Sequence, residues 1–209
     1  MAFPFTRGTT GEEELPIGVL RLRALRFRDY GDWARIRIKD EEHLRPVEPT
    51  VRDWGMAHTA GEWLNLYGVL KQYGRQGRCM PYVIELDGRF IGQITVGGIE
   101  QTDAWVGYWV DSDYTGHGIA TMALAMMVDF VFSTTDLHRL YATYLPNNPA
   151  SGRVLSKVGF RREGYLRRNI HIDGRWQDHY LMGLIREDCK VKAVTKVREN
   201  GAPEPYGFQ

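Results

Sequence analysis

The stretch Trp105–Asp129, WVGYWVDSDYTGHGIATMALAMMVD, constrains this chain more than any other. Trp105 to Val110 is short, aromatic and β-branched, the composition of a strand. Asp111 to Thr115 is turn material, and Gly116-His117-Gly118 opens a run in which Ile119, Met122, Ala123, Met126, Met127 and Phe130 recur at helical spacing. A strand, a glycine turn and a helix N-terminus together make a binding place for a phosphorylated ligand. The first N–H groups of a helix have no internal partner, and the peptide dipoles add positive potential there. No Gly-Lys-Ser/Thr follows, which excludes a P-loop, and the third glycine of a dinucleotide fingerprint is missing.

The rest of the chain alternates strands and helices around that unit. Gly18–Arg26 interleaves aliphatic residues with arginines, a half-buried strand whose arginine row is either a solvated face or an acidic-ligand site. Asp29 N-caps a helix that turns Trp33, Ile36 and Ile38 inward, and Glu41–Thr50 is a loop broken by Pro46 and Pro49. A helix from Thr59 or Ala60 carries Trp63, Leu66, Tyr67, Leu70 and Tyr73 on one side and ends at Gly74–Gly77. Pro81–Leu86 and Phe90–Val96 form a hairpin across Asp87-Gly88, and Gly97-Gly98 ends or bulges its second strand. After the central helix come a strand at Leu140–Leu145, a short helix at Ser151–Val158, and a final antiparallel pair, Phe160–Ile172 with Arg175–Ile185, turning at Asp173-Gly174.

Two stretches acquire meaning together. The glycine turn resembles the acyl-CoA loop, R/Q-x-x-G-x-G/A, of the general N-acetyltransferase (GNAT) superfamily, with Asp113 in the Arg/Gln position. Downstream, His138-Arg139, Ala142, Tyr144, Pro146, Asn148, Ser151, Gly159-Phe160, Glu163-Gly164-Tyr165 and Ile172–His179 resemble the RimJ branch of the RimJ/RimL subfamily, whose members acetylate protein N-termini. Leu44–Pro49 resembles that branch's L-x-P-W-E-P, with Val47 in place of the tryptophan. The likeness covers about Val19 to Arg186.

The resemblance implies a single α/β (α+β) domain at 17–188, with a mixed, mostly antiparallel sheet of about seven strands and helices on both faces. Met1–Pro16 is expected to be a mobile lead-in and 189–209 a tail that leaves the domain. Acetyl-CoA is the implied cosubstrate. Backbone N–H groups of Gly116, His117, Gly118, Ile119 and Ala120 would hold its diphosphate, with the Thr121 hydroxyl as a further donor. The backbone of Tyr108, Trp109 and Val110 would flank the pantetheine arm where this strand parts from Leu140–Leu145, and the Asn148 amide would bond the arm. Ser151 would stabilise the departing thiolate, or serve only as a helix N-cap. The usual glutamate base is absent from Asn169-Ile170-His171, so Glu48 is the first candidate base and Asp178 and His179 the next; Glu48 also reads as an ordinary loop charge.

The expected reaction is direct attack by a primary amine in a ternary complex, the amine being a protein N-terminus, by analogy a ribosomal protein's. Acetylation of a small amine such as an aminoglycoside or polyamine, and a non-catalytic role in CoA binding or ribosome assembly, are the rival readings. The 27 basic and 26 acidic residues balance to +1, so neither a nucleic-acid coating nor a membrane-surface role is expected. Cys79 and Cys189 are far apart and the six histidines lack ligand spacing, so neither a disulfide nor a metal site is expected. No apolar run reaches the ~18 residues of a membrane span. A cytoplasmic monomer or homodimer is the expectation.

Overall fold

A computed structural model describes residues 9–200. Eight strands make one sheet: β1 (Thr9–Leu15), β2 (Gly18–Ala24), β3 (Cys79–Leu86), β4 (Arg89–Glu100), β5 (Asp103–Val110), β6 (Arg139–Tyr144), β7 (Arg161–Ile172) and β8 (Arg175–Ile185). Their spatial order is β1-β2-β3-β4-β5-β6-β8-β7. Every pairing is antiparallel except β5 with β6. Local chemistry sets the tight turns: Asp87-Gly88 and Asp173-Gly174 all have positive φ, as a two-residue turn matched to strand twist requires. Gly97-Gly98 bulges β4 rather than ending it, and the Trp105 ring lies where a Cβ on Gly97 would sit.

Helices cover both faces. On one, α1 (Tyr30–Lys39), the short turns α2 (Glu41–Leu44) and α3 (Trp54–Ala57), and α4 (Ala60–Arg75) precede the second hairpin strand pair; Trp33, Ile36 and Trp63 pack there against Val83 and Phe90. On the other, α5 (Ile119–Thr134), α6 (Pro149–Val158) and α7 (Ala193–Asn200) enclose the larger core. Every residue of α5 from Thr121 to Val128 is buried, which is why this helix is apolar on all sides rather than along one stripe.

Four expectations need correction. Thr9–Leu15, read as part of a mobile lead-in, is an edge strand: its register with β2 supplies backbone hydrogen bonds that its polar side chains do not announce. Residues 193–200, read as tail, form α7 and pack on α5, because the Asp129 carboxylate accepts from Ala193 N (2.7 Å) and Val194 N (3.1 Å) and so caps the helix. Arg198 also pairs with Glu13. Residues 1–8 and 201–209 lie outside the described part. Arg23, read on a wet strand face, is 7% exposed, held by Asp29 (2.8 Å) and by Glu85. Ile38 is 53% exposed, and its neighbour Arg37 is the inward residue.

Candidate active site

The ladder between β5 and β6 contains only Asp103–Arg139, Ala104–Leu140 and Trp105–Tyr141. Beyond Trp105, β5 continues against β4 to Val110, and β6 continues against β8 as far as Tyr144. The two strands therefore part over Val106–Val110, where an extended amide-bearing arm can lie along the strand edge. The expected splay is where the sequence placed it.

At the end of β5, Asp111–Tyr114 make a single 3₁₀ turn, and the chain enters α5 through Gly116 (φ 82°) and Gly118 (φ 78°). Both take the left-handed region that glycine adopts without strain. Gly118 is the N-cap, and no side chain caps the helix. Gly116, His117 and Gly118 are exposed, whereas Ile119 and Thr121 turn into the core. The mouth is thus exposed, no side chain caps it, and a Cβ on either glycine would meet nothing within 4 Å, a cradle that fits a diphosphate.

Across the splay, Asn148 N-caps α6, with its Oδ1 accepting from Ser151 N at 3.2 Å. Ser151 is therefore not the cap, and its hydroxyl is free for another partner. That partner is Tyr108: the two hydroxyls are 3.2 Å apart, and Tyr108 also reaches Ser151 O at 3.4 Å. Burial pushes the Tyr108 phenol well above its ordinary value, outweighing the hydrogen bond to Ser151, so it remains a proton donor. Trp109 points to the opposite face, against Phe90 and over Arg37.

Glu48 lies on the proline loop, its carboxylate forked by Arg37, with Nη1–Oε1 at 2.7 Å and the second arm Nη2–Oε2. The Arg37 guanidinium sits 5.0–5.6 Å from the rings of Trp33, Trp54 and Trp109, and its Nε donates to His58 Nε2 at 2.7 Å. His58 then donates Nδ1–H to Trp54 O at 2.5 Å. Its pKa is lowered, first by burial and further by the Arg37 charge, against the pull of that backbone bond. The neutral imidazole is what this geometry requires. The sequence reading missed Arg37, Trp54 and His58; Arg37 four residues after Trp33 was the available signal. The loop is tied to the β7–β8 turn through Thr50, whose N donates to His171 O (2.8 Å) and whose Oγ1 accepts from Gly174 N (3.2 Å).

Asp178 accepts from Arg168 N (2.7 Å) and the Tyr165 hydroxyl (2.8 Å), and these bonds hold its carboxyl below the ordinary range. Arg168 has φ 49° in a bulge between Leu166 and Ile170, so Asp178 stabilises a strained backbone turn. His179 is buried and its pKa is lowered by that burial. A cleft of ≈ 360 Å³ lies beside the β6–α6 turn, lined by Leu145, Pro146, Asn147, Tyr165, Trp176 and Asp178 among others. Burial pushes the free thiols of Cys79 and Cys189 up to about 11, far from a reactive thiolate. Among the described residues no His, Cys, Asp or Glu cluster could hold a metal, and no helix is long and apolar enough to cross a membrane.

Comparison with known proteins agrees with this geometry. Residues 20–161 match the family model for the acetyltransferase (GNAT) domain. The structure of Mycobacterium smegmatis RimJ in complex with CoA-disulfide is similar at 43% identity, over 94% of this chain and 96% of that one, with a TM-score of 0.91. The [ribosomal protein uS5]-alanine N-acetyltransferase of Escherichia coli (strain K12) is 29% identical over 174 residues, 81% of this chain and 89% of its own length. The probable N-acetyltransferase YjcK of Bacillus subtilis is 40% identical over 106 residues, and there the chain spans 58% of the relative. An eighth strand extends the expected sheet without altering its plan. The chain belongs to the GNAT acetyltransferase family, within its RimJ-like branch.

Proposed function

We propose that this protein transfers the acetyl group of acetyl-CoA to the α-amino group of a ribosomal protein, with an N-terminal alanine as the favoured acceptor. The observation that carries the reading is the parting of β5 and β6 beside the Tyr108–Ser151 pair, on the strand that leads through one turn into an uncapped helix mouth. The kinship with RimJ and with the uS5-alanine enzyme supports the choice of acceptor. The open cleft beside Asn147 gives an extended chain more room than a narrow acidic pocket for a polycation would.

The chemistry follows from the residues. Amides of Gly116 to Ala120 hold the diphosphate, and the edge of Tyr108–Val110 with the Asn148 amide holds the pantetheine arm. The acceptor nitrogen forms a bond to the thioester carbon, the carbon–sulfur electron pair leaves on sulfur, and no acyl-enzyme intervenes. Ser151 Oγ donates a hydrogen bond to the thiolate while the Tyr108 hydroxyl, itself staying protonated, donates to Ser151 and orients it; the proton lost by the acceptor nitrogen balances the charge on sulfur. An α-ammonium titrates near 8, at about neutral pH, and needs only modest help. Glu48 supplies it through water: the Arg37 fork fixes the carboxylate and leaves it acceptor lone pairs.

The test is mass spectrometry of an alanine-initiated ribosomal-protein peptide incubated with enzyme and acetyl-CoA. One acetyl group on the α-amine is expected, with none on the same peptide blocked at its N-terminus. Transfer to polyamines or aminoglycosides and none to the peptide would overturn the acceptor assignment.

A further inference from the structure

Asp113 stands where the acyl-CoA loop ordinarily offers arginine or glutamine, and it brings a negative charge to within three residues of Gly116. It is not alone. Asp111 is buried in the same turn, and Asp40, also buried, accepts from Ser112 N (2.8 Å) and Ser112 Oγ (2.6 Å). Three carboxylates thus border a loop whose task is to receive a dianionic diphosphate. One side chain answers them. Lys39, the last residue of α1, bonds Asp111 and lies 2.7 Å from Asp113 Oδ2 and 3.6 Å from Asp40 Oδ1. Among the described residues no other cation pairs with these carboxylates. Partial burial opposes the charged ammonium, but the bonds to Asp111 and Asp113 outweigh it and raise the Lys39 pKa.

Resting on the acetyl-CoA reading above, we propose that Lys39 is the positioning residue of the diphosphate loop, supplying from α1 the positive charge that position 113 lacks. It does so in two ways. Its ammonium cancels part of the field that Asp111 and Asp113 direct at the phosphates. Its bonds to Asp111 and Asp113, beside those of Asp40 to Ser112, also tie the turn Ser112–Tyr114 to the end of α1, which sets where Gly116 and Gly118 present their amides. The departure at Asp113 and the lysine on α1 are then two halves of one arrangement, the carboxylate holding the cation in place. Lys39 itself need not touch the cofactor.

The experiment compares two acetyl donors with one acceptor peptide: acetyl-CoA, and S-acetylpantetheine, which has the same thioester and no diphosphate. In Lys39→Met the KM for acetyl-CoA should rise about tenfold with kcat nearly kept, as removal of one nearby charge at intermediate dielectric predicts. The KM for S-acetylpantetheine should not move. Lys39→Arg should retain the wild-type preference, and Lys39→Met with Asp113→Asn should recover most of the lost affinity. An equal loss on both donors would mean that Lys39 only supports the fold, and an unchanged preference in Lys39→Met would mean it plays no part; either overturns the proposal. If the wild-type protein uses both donors alike, the diphosphate grip itself is wrong, an outcome separable from failure of Lys39.

Discussion

The Tyr108 hydroxyl lies 3.2 Å from Ser151 Oγ, joining β5 to α6 across the gap where β5 and β6 have parted. A strand edge and a helix turn, 43 residues apart in the chain, thus share one hydrogen-bonded pair of hydroxyls. If both hydroxyls serve the departing thiolate, each loss should harm the same step. Ser151→Ala and Tyr108→Phe should each lower kcat by about 10- to 100-fold, the range for a positioned proton donor, with little change in the KM for acetyl-CoA. The double variant should be scarcely worse than the poorer single one, because residues that act as a unit do not add. Additive losses in stopped-flow or steady-state rates would separate the two roles.

The helix mouth makes a different prediction, of binding rather than rate. Gly118 has φ 78°, and no atom lies within 4 Å of where its Cβ would be. Gly118→Ala should therefore cost about 1 kcal/mol of left-handed backbone penalty, visible as a lower Tm and, where the mouth relaxes away from that conformation, as weaker CoA binding. Gly118→Trp pays the same penalty and also fills the approach to the amides. Calorimetric titration should show CoA binding weakened in the alanine variant and abolished in the tryptophan one. Unchanged affinity in Gly118→Trp would place the diphosphate elsewhere.

The helix mouth was legible in the sequence because it is local, whereas the Tyr108–Ser151 contact, 43 residues apart, was not. A glycine that must reach positive φ and a DG turn obey rules spanning a few residues, whereas Glu41–Thr50, read as a loop, forms a helical turn at Glu41–Leu44 and a 3₁₀ turn at Arg45–Val47. Gly116 and Gly118 take the positive φ that the glycine turn announced. What escaped was long-range. Nothing near Glu12 or Glu14 reveals that Thr9–Leu15 will find the free edge of β2, since an edge strand can be polar throughout. Arg23 reads as a wet residue until Asp29 and Glu85 come within reach, and Arg37 until three tryptophans close around it. Asn148 rather than Ser151 caps α6 because Pro149 takes the first helical position, a detail the proline could have revealed.

Glu48 has two duties that separate with pH. As partner of the largely buried Arg37 it is structural, and Glu48→Gln should destabilise the fold by about 1–3 kcal/mol in urea, since the guanidinium keeps only weakened bonds. As a relay for the acceptor's proton it matters only while the amine is protonated. The rate deficit of Glu48→Gln should therefore shrink above about pH 8, where the α-amine deprotonates unaided. A deficit that is constant across pH 6.5–9 would leave Glu48 as an anchor alone, a range set about that amine.

Acid should weaken the fold first through its buried histidines. His58 and His179 both have pKa values lowered below the ordinary imidazole value of about 6.5, chiefly by burial. As pH falls below that value the unfolded chain takes up protons that the folded chain refuses, so the stability these groups contribute is complete above it and is lost as pH falls toward their folded values. Glu85, whose carboxyl is lowered because the bonds to Arg23 and Arg21 outweigh its burial, follows the same sign in a lower window, below about 4.5. Urea unfolding between about pH 7.5 and 5.5 therefore isolates the histidines from the carboxylate. His58 should dominate, because protonating Nε2 would set a second cation against Arg37 Nε, 2.7 Å away, and remove the acceptor to which that nitrogen donates. His58→Gln retains an acceptor without a titrating ring, so its stability should vary less with pH over that interval even if it is lower throughout. A slope equal to the wild-type protein's would exclude His58 as the source of the acid sensitivity.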